Sequence, residues 1–141
     1  MPFSQGTELL LIALLVQAWL MILLLFALGG SRFATASSGK AKRGADGNLI
    51  FPERVEWLSA CVNNQFQVPL LFFAAALLAM QLNMVSTLFA ILAIIFVVFR
   101  VIHAAIFVTT NHIMSRFGTF LISALAVLGM WALLTMRILA A

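Results

Sequence analysis

The sequence predicts an all-α fold, an integral membrane four-helix bundle, and three observations carry that expectation. The 141-residue chain is 65% hydrophobic and only 9% charged, a balance that excludes a soluble domain. Four apolar stretches, Leu9 to Leu28, Val55 to Leu82, Val85 to Val108 and Phe117 to Met136, each come near the roughly 20 residues that cross a hydrocarbon core. Together they use most of the chain, so function must reside within the bundle or in the connection from Gly29 to Phe51. With their flanks the spans are expected at about 7–29, 53–81, 84–109 and 115–138, in one domain with a first loop at about 30–52.

In the first span, Glu8 follows Ser4, Gly6 and Thr7, where a carboxylate favours the positive end of the helix dipole. That edge position fits helix initiation better than proton coupling. Gln17, near mid-span, predicts a hydrogen bond to a neighbouring helix or subunit. Ala34-Thr35-Ala36 has the look of a cleavage site, yet Glu8 and the lack of Lys or Arg ahead of the span favour a retained anchor. The loop that follows is rich in Gly, Ser, Ala and basic residues, and mobility is expected over 34–47. Arg32, Lys40, Lys42, Arg43 and Arg54 lie in or beside it, whereas the Met80 to Met84 turn has no Lys or Arg. The positive-inside rule therefore puts the first and third loops in the cytoplasm and both termini outside, against the single contrary charge of Arg137. The basic loop reads as a topology signal beside acidic headgroups, and no nucleic-acid partner is expected.

The second helix is expected to begin at Pro52, with Glu53 and Glu56 in its first turn. Glu56, Asn63 and Gln67 then form one stripe, which a lipid-facing helix would not require. Pro69 removes one helical bond, that to the Gln65 carbonyl, and predicts a kink where the stripe ends. The short Met80 to Met84 connection makes the second and third helices an antiparallel hairpin. With its turn near residues 82 and 83, Asn63 is expected level with His103 and Gln67 nearly level with Arg100. This register favours Asn63 over Asn64 as the inward-facing amide.

Arg100 is the residue the third span must explain. It lies eight residues before Val108, about 12 Å into the membrane at the helical rise. An arginine at such depth costs about 2.5 to 3.5 kcal/mol on insertion scales, so it should face protein, a ligand or water. Arg100, His103, Phe107 and Asn111 share a helical face, read here as the wall of a site. Arg116 opens the fourth helix, where a cation opposes the dipole; a site role and a snorkelling topology anchor both account for it. The rest of the fourth span, with Gly118, Ser123 and Gly129, reads as a packing helix.

No metal is expected, because His103 and His112 lie on opposite faces of any continuous helix and Cys61 has no second thiol. Cys61 reads as a small apolar residue, and His103 as a hydrogen-bonding group rather than a haem ligand. There is no glycine-rich phosphate loop and no Ser/His/Asp set. What remains is a cationic, amide-rich cleft suited to an anionic polar ligand held by Arg100 and Arg116, with an apolar co-substrate arriving from the bilayer.

Asn64-Gln65-Phe66-Gln67-Val68-Pro69, Arg100-Val101-Ile102-His103 and Asn111-His112-Ile113-Met114-Ser115-Arg116-Phe117, in a chain of four spans with a basic first loop, resemble a bacterial branch of the MAPEG family, the membrane-associated proteins in eicosanoid and glutathione metabolism. The resemblance implies a left-handed four-helix bundle per subunit, a homotrimer in the bacterial inner membrane, and sites at subunit interfaces on the cytoplasmic side. It implies glutathione as co-substrate and an arginine-stabilised thiolate that attacks lipophilic electrophiles or lipid hydroperoxides. Carried over by position, Asn63 or Asn64 matches the second-helix asparagine, Arg100 the third-helix arginine, and Arg116 the catalytic, thiolate-stabilising one. The expected ligand-binding set is Asn63, Gln67, Arg100, His103, Asn111 and Glu56. Gln67 stands where the family has a glutamate, His103 and Phe107 where leukotriene-forming members have tyrosines, and the chain has no tyrosine. A second reading follows from those differences: a non-catalytic MAPEG-like protein, binding lipid or serving as a structural subunit beside other membrane subunits.

Overall fold

The computed structural model describes residues 4–45 and 47–140. Its elements are α1 (Gln5–Ser37), β1 (Lys42–Arg43), β2 (Leu49–Ile50), α2 (Glu53–Gln65), α3 (Val68–Gln81), α4 (Thr87–Thr109) and α5 (Ile113–Leu139). Helices α2 and α3 make one interrupted rod, Glu53–Gln81, so the described residues hold four rods long and apolar enough to cross a membrane. The chain is an integral, multi-pass, all-α membrane four-helix bundle.

Helix α1 begins at Ser4, whose hydroxyl accepts the Thr7 N–H at 3.3 Å and so satisfies one of the free donors of the first turn. It does not end near Gly29-Gly30, although each glycine costs about 1 kcal/mol relative to alanine in a helix. The extension is held from outside: the Arg32 guanidinium donates to Ser59 Oγ at 2.8 Å and lies 5.4 Å from the centre of the Phe51 ring. The region expected to be mobile is thus helical as far as Ser37, and a two-residue antiparallel ladder, with Lys42 opposite Ile50, closes its far side.

The expected kink at Pro69 is a complete interruption. Helix α2 stops at Gln65, and Gln67 (φ −99°, ψ −92°) leaves helical geometry. Helix α3 then restarts with Pro69 in its first turn, where a missing N–H is harmless. Two asparagines make the following turns. Asn83 (φ 54°) and Asn111 (φ 51°) take the left-handed conformation that ends α3 and α4. The Asn111 N–H returns to the Ile106 carbonyl at 2.8 Å.

One half of the bundle is packed with small residues. Ala75, Ala76 and Ala79 of α3 and Ala90 and Ala93 of α4 are buried, as membrane helices need for close approach. Phe72 and Phe96 stack at 4.4 Å within this core. At Gly129 of α5, a Cβ would come 3.1 Å from Leu92 Cδ1, so α4 and α5 are tightly apposed there. The other half, toward the α2 start and the α4–α5 turn, holds the buried polar groups.

Candidate functional site

Arg100 has no exposed surface. One guanidinium nitrogen, Nη2, donates to Asn64 Oδ1 at 2.7 Å and to the Asn64 backbone carbonyl at 3.2 Å. The helix interruption makes that second bond available. Within an unbroken helix the Asn64 carbonyl would accept from residue 68; here it has only a long 3.4 Å bond from the Gln67 N–H. The break at Gln67, ahead of Pro69, therefore contributes to the site by ending α2 beside Arg100. The remaining Arg100 donors, Nε and Nη1, are buried without a hydrogen-bond partner.

His103, one turn along α4, is also buried. Its Nδ1 lies 3.0 Å from the Arg116 carbonyl and 3.2 Å from Thr119 Oγ1, and its Nε2 is buried without a partner. Arg116, in the first turns of α5, turns inward. Its guanidinium carbon sits 3.4 Å from the Phe107 ring centre, and Nη1 donates to Asn111 Oδ1. A cation on a ring face is favourable by about 0.5 to 2 kcal/mol. Phe107 and Asn111 thus fix the direction in which Arg116 points, while its Nε has no partner.

Asn64, His103 and Arg116 line a cleft of about 480 Å³ together with Ile113, Phe117 and Phe120. Arg100 stands behind its wall, tied to Asn64. One side of the cleft is cationic and amide-bearing; the other is aliphatic and aromatic. A molecule with a polar, anionic part and an apolar reaction partner would find a surface for each.

The structure gathers Arg100, His103, Asn111 and Arg116 at one end of the bundle in two hydrogen-bonded groups, Arg100 with Asn64 and Arg116 with His103 and Asn111, and these meet at the cleft that Asn64, His103 and Arg116 line; the second-helix amide is Asn64 rather than Asn63. Asn63 is exposed, as are Gln67 at the interruption and Glu56 in the first turn of α2. None of these three lines the cleft. The hairpin register puts Asn63 level with His103 and Gln67 nearly level with Arg100, whereas the second-helix residue bonded to Arg100 is Asn64. The register did not fix rotation: adjacent residues point about 100° apart around a helix, and Asn64 is the one turned inward.

Beyond Arg116, the fourth span was expected to be a packing helix, whereas Thr119 bonds to His103 and Phe120 lines the cleft. The spacing of Thr119 and Phe120, three and four residues beyond Arg116, places them on its face and was the available signal. Gln17 does bond to another helix: its Nε2 donates to Gln65 Oε1 at 3.1 Å, which ties α1 to the last turn of α2. Cys61 is packed with Ala104 and Phe107.

Neither curated proteins nor solved structures gave a match to the chain. The model of one protein family, the MAPEG family, does match, over residues 10–136, and so covers all four rods except the outer ends of the first and last, together with every residue of the site. By that match the chain belongs to the MAPEG family.

Proposed function

We propose that this protein is a glutathione-dependent membrane transferase or peroxidase that acts on lipophilic electrophiles or lipid hydroperoxides. Family membership already places it among membrane proteins of glutathione-related function. The observation that carries the finer reading is Arg100: a fully buried guanidinium with two unpartnered nitrogens and no carboxylate bonded to it among the described residues. Leaving a buried charge uncompensated costs about 3 to 5 kcal/mol, so an anion is the natural complement of this half of the bundle. Glutathione supplies an anion within the field of Arg100, which stands behind the cleft wall, amides for Asn64, and a thiol beside Arg116. A free thiol is only a few per cent ionised at neutral pH, and a nearby guanidinium stabilises the thiolate that reacts. The lipophilic substrate enters over Ile113, Phe117 and Phe120, all on the cleft's apolar side.

The working form is a homotrimer with the first and third loops cytoplasmic, in the bacterial inner membrane. Its support is the exposed stripe Glu56, Asn63 and Gln67 on a membrane-spanning rod. Polar side chains in such a span belong against protein or water rather than lipid. These residues, which do not line the cleft of their own chain, then face a neighbouring subunit or its ligand.

A second reading, a lipid-binding or structural member of the family, is favoured by one feature. An entirely apolar groove of about 280 Å³ runs between α1 and α4, lined by residues such as Ile12, Val16, Val97 and Val101, and would seat an acyl chain. Turnover separates the two. The purified protein should conjugate glutathione to a hydrophobic aryl halide or reduce a lipid hydroperoxide, and Arg116→Ala should lower the rate by about 100-fold or more with the fold intact. Equal rates in wild type and Arg116→Ala would remove Arg116 from the mechanism, and no turnover together with co-purified lipid would favour the second reading.

A further inference from the structure

Within the site one acceptor, His103 Nε2, is buried without a hydrogen-bond partner. The Arg116 carbonyl 3.0 Å from Nδ1 can only accept a hydrogen bond. Thr119 Oγ1, also near Nδ1, has its own hydrogen directed to the carbonyl of Ser115 or Arg116, each at 3.0 Å, so it too is an acceptor toward the ring. Nδ1 must therefore carry the hydrogen, and in the neutral ring Nε2 is a bare acceptor. Phe107 and Phe120 hold the ring between them at centroid distances of 5.6 and 6.1 Å.

Every other unpartnered polar atom of the cationic group, Arg100 Nε, Arg100 Nη1 and Arg116 Nε, is a donor. Those donors complement an anion. An anion leaves Nε2 unsatisfied, because an acceptor needs a ligand atom that brings a hydrogen. A thiol meets both demands in sequence: as S–H it donates to Nε2, and as thiolate it accepts from a guanidinium.

We propose that His103 is a catalytic residue, the base that receives the ligand's thiol proton at Nε2; this rests on the glutathione reading above. The S–H bond breaks, its electron pair stays on sulfur, the proton forms an Nε2–H bond, and nothing is oxidised or reduced. Arg116 then holds the thiolate. The Arg116 carbonyl, through Nδ1, fixes the ring so that the same residue that stabilises the product also orients the base. Thr119 is a positioning residue for that ring.

The test uses the purified full chain in detergent, with glutathione binding measured by calorimetry and thiolate absorbance followed by stopped flow. His103→Asn keeps an amide N–H near the Nδ1 position and offers nothing at Nε2. It should bind S-methylglutathione, which has no S–H to donate, as wild type does, but form the glutathione thiolate about 100-fold more slowly, within the range of general-base effects, with partial rescue by added imidazole. His103→Asn forming the thiolate at the wild-type rate would overturn the role of His103 and leave the glutathione reading standing; wild type that binds no glutathione would overturn both. Should the variant fail to fold, isotope-labelled imidazole nitrogens in the wild type decide the matter. His112→Asn, which keeps a capping side chain at the start of α5, assigns the signals of the two histidines. Nε2 of His103 should change from bare to protonated on adding glutathione and stay bare with S-methylglutathione; a bare Nε2 beside a formed thiolate would refute the assignment.

Discussion

Arg116 points into the cleft because two neighbours leave it few other directions. Phe107 offers a ring face 3.4 Å from the guanidinium carbon, and Asn111 accepts from Nη1. Asn111 also ends α4 in a left-handed conformation, so one residue makes both the turn and the orientation. The two roles are separable. Asn111→Gly keeps the backbone freedom and removes the acceptor, and it should leave thermal stability near wild type while lowering thiolate formation by about tenfold, the loss of roughly one hydrogen bond to a charged group. Asn111→Ala should lower both, because a left-handed alanine is strained by about 1 kcal/mol or more. Thermal melts read beside the thiolate signal check this; wild-type thiolate levels in Asn111→Gly would show that Arg116 is aimed by Phe107 alone. Arg100, His103 and Arg116 were legible in the sequence because a charge or an imidazole in an apolar helix violates composition. The register favoured Asn63, but Asn64 is the amide bonded to Arg100, since depth follows from counting residues and rotation follows from packing.

At the scale of helices, the interruption between α2 and α3 couples sequence to site. The break at Gln67, ahead of Pro69, takes the Asn64 carbonyl out of the helical ladder, and Arg100 bonds to it. Pro69 made a kink predictable; which carbonyl Arg100 would take was not, because that depends on how α4 packs against α2. The first helix taught a similar lesson. Gly29-Gly30 and a basic run read as loop, but the Arg32 bond to Ser59 and its stacking over Phe51 lie between elements and leave no periodic trace in sequence. Gln17 and Gln65 form the buried tie between α1 and α2, each without exposed surface to speak of and with one amide atom left unpaired. A double-mutant cycle of Gln17→Leu and Gln65→Leu should give a coupling of about 0.6 kcal/mol, up to about 1.7, typical of membrane interhelical hydrogen bonds. Unfolding in mixed micelles measures it, and zero coupling would mean that the pair is incidental to α1 docking.

The whole molecule divides into two halves of different chemistry. Toward the α3–α4 turn, alanines and stacked phenylalanines pack α3, α4 and α5 closely, and this half has the plain logic of a membrane bundle. Toward the α4–α5 turn, two arginines, a histidine and an asparagine surround donors and an acceptor that the single chain does not satisfy. On the proposed reading, glutathione completes this half. Glutathione binding to the purified protein, by calorimetry with thiolate absorbance recorded in parallel, tests that claim most directly. Saturable binding with a thiolate signal that Arg116→Ala abolishes is the predicted result, and no binding at millimolar glutathione would contradict it.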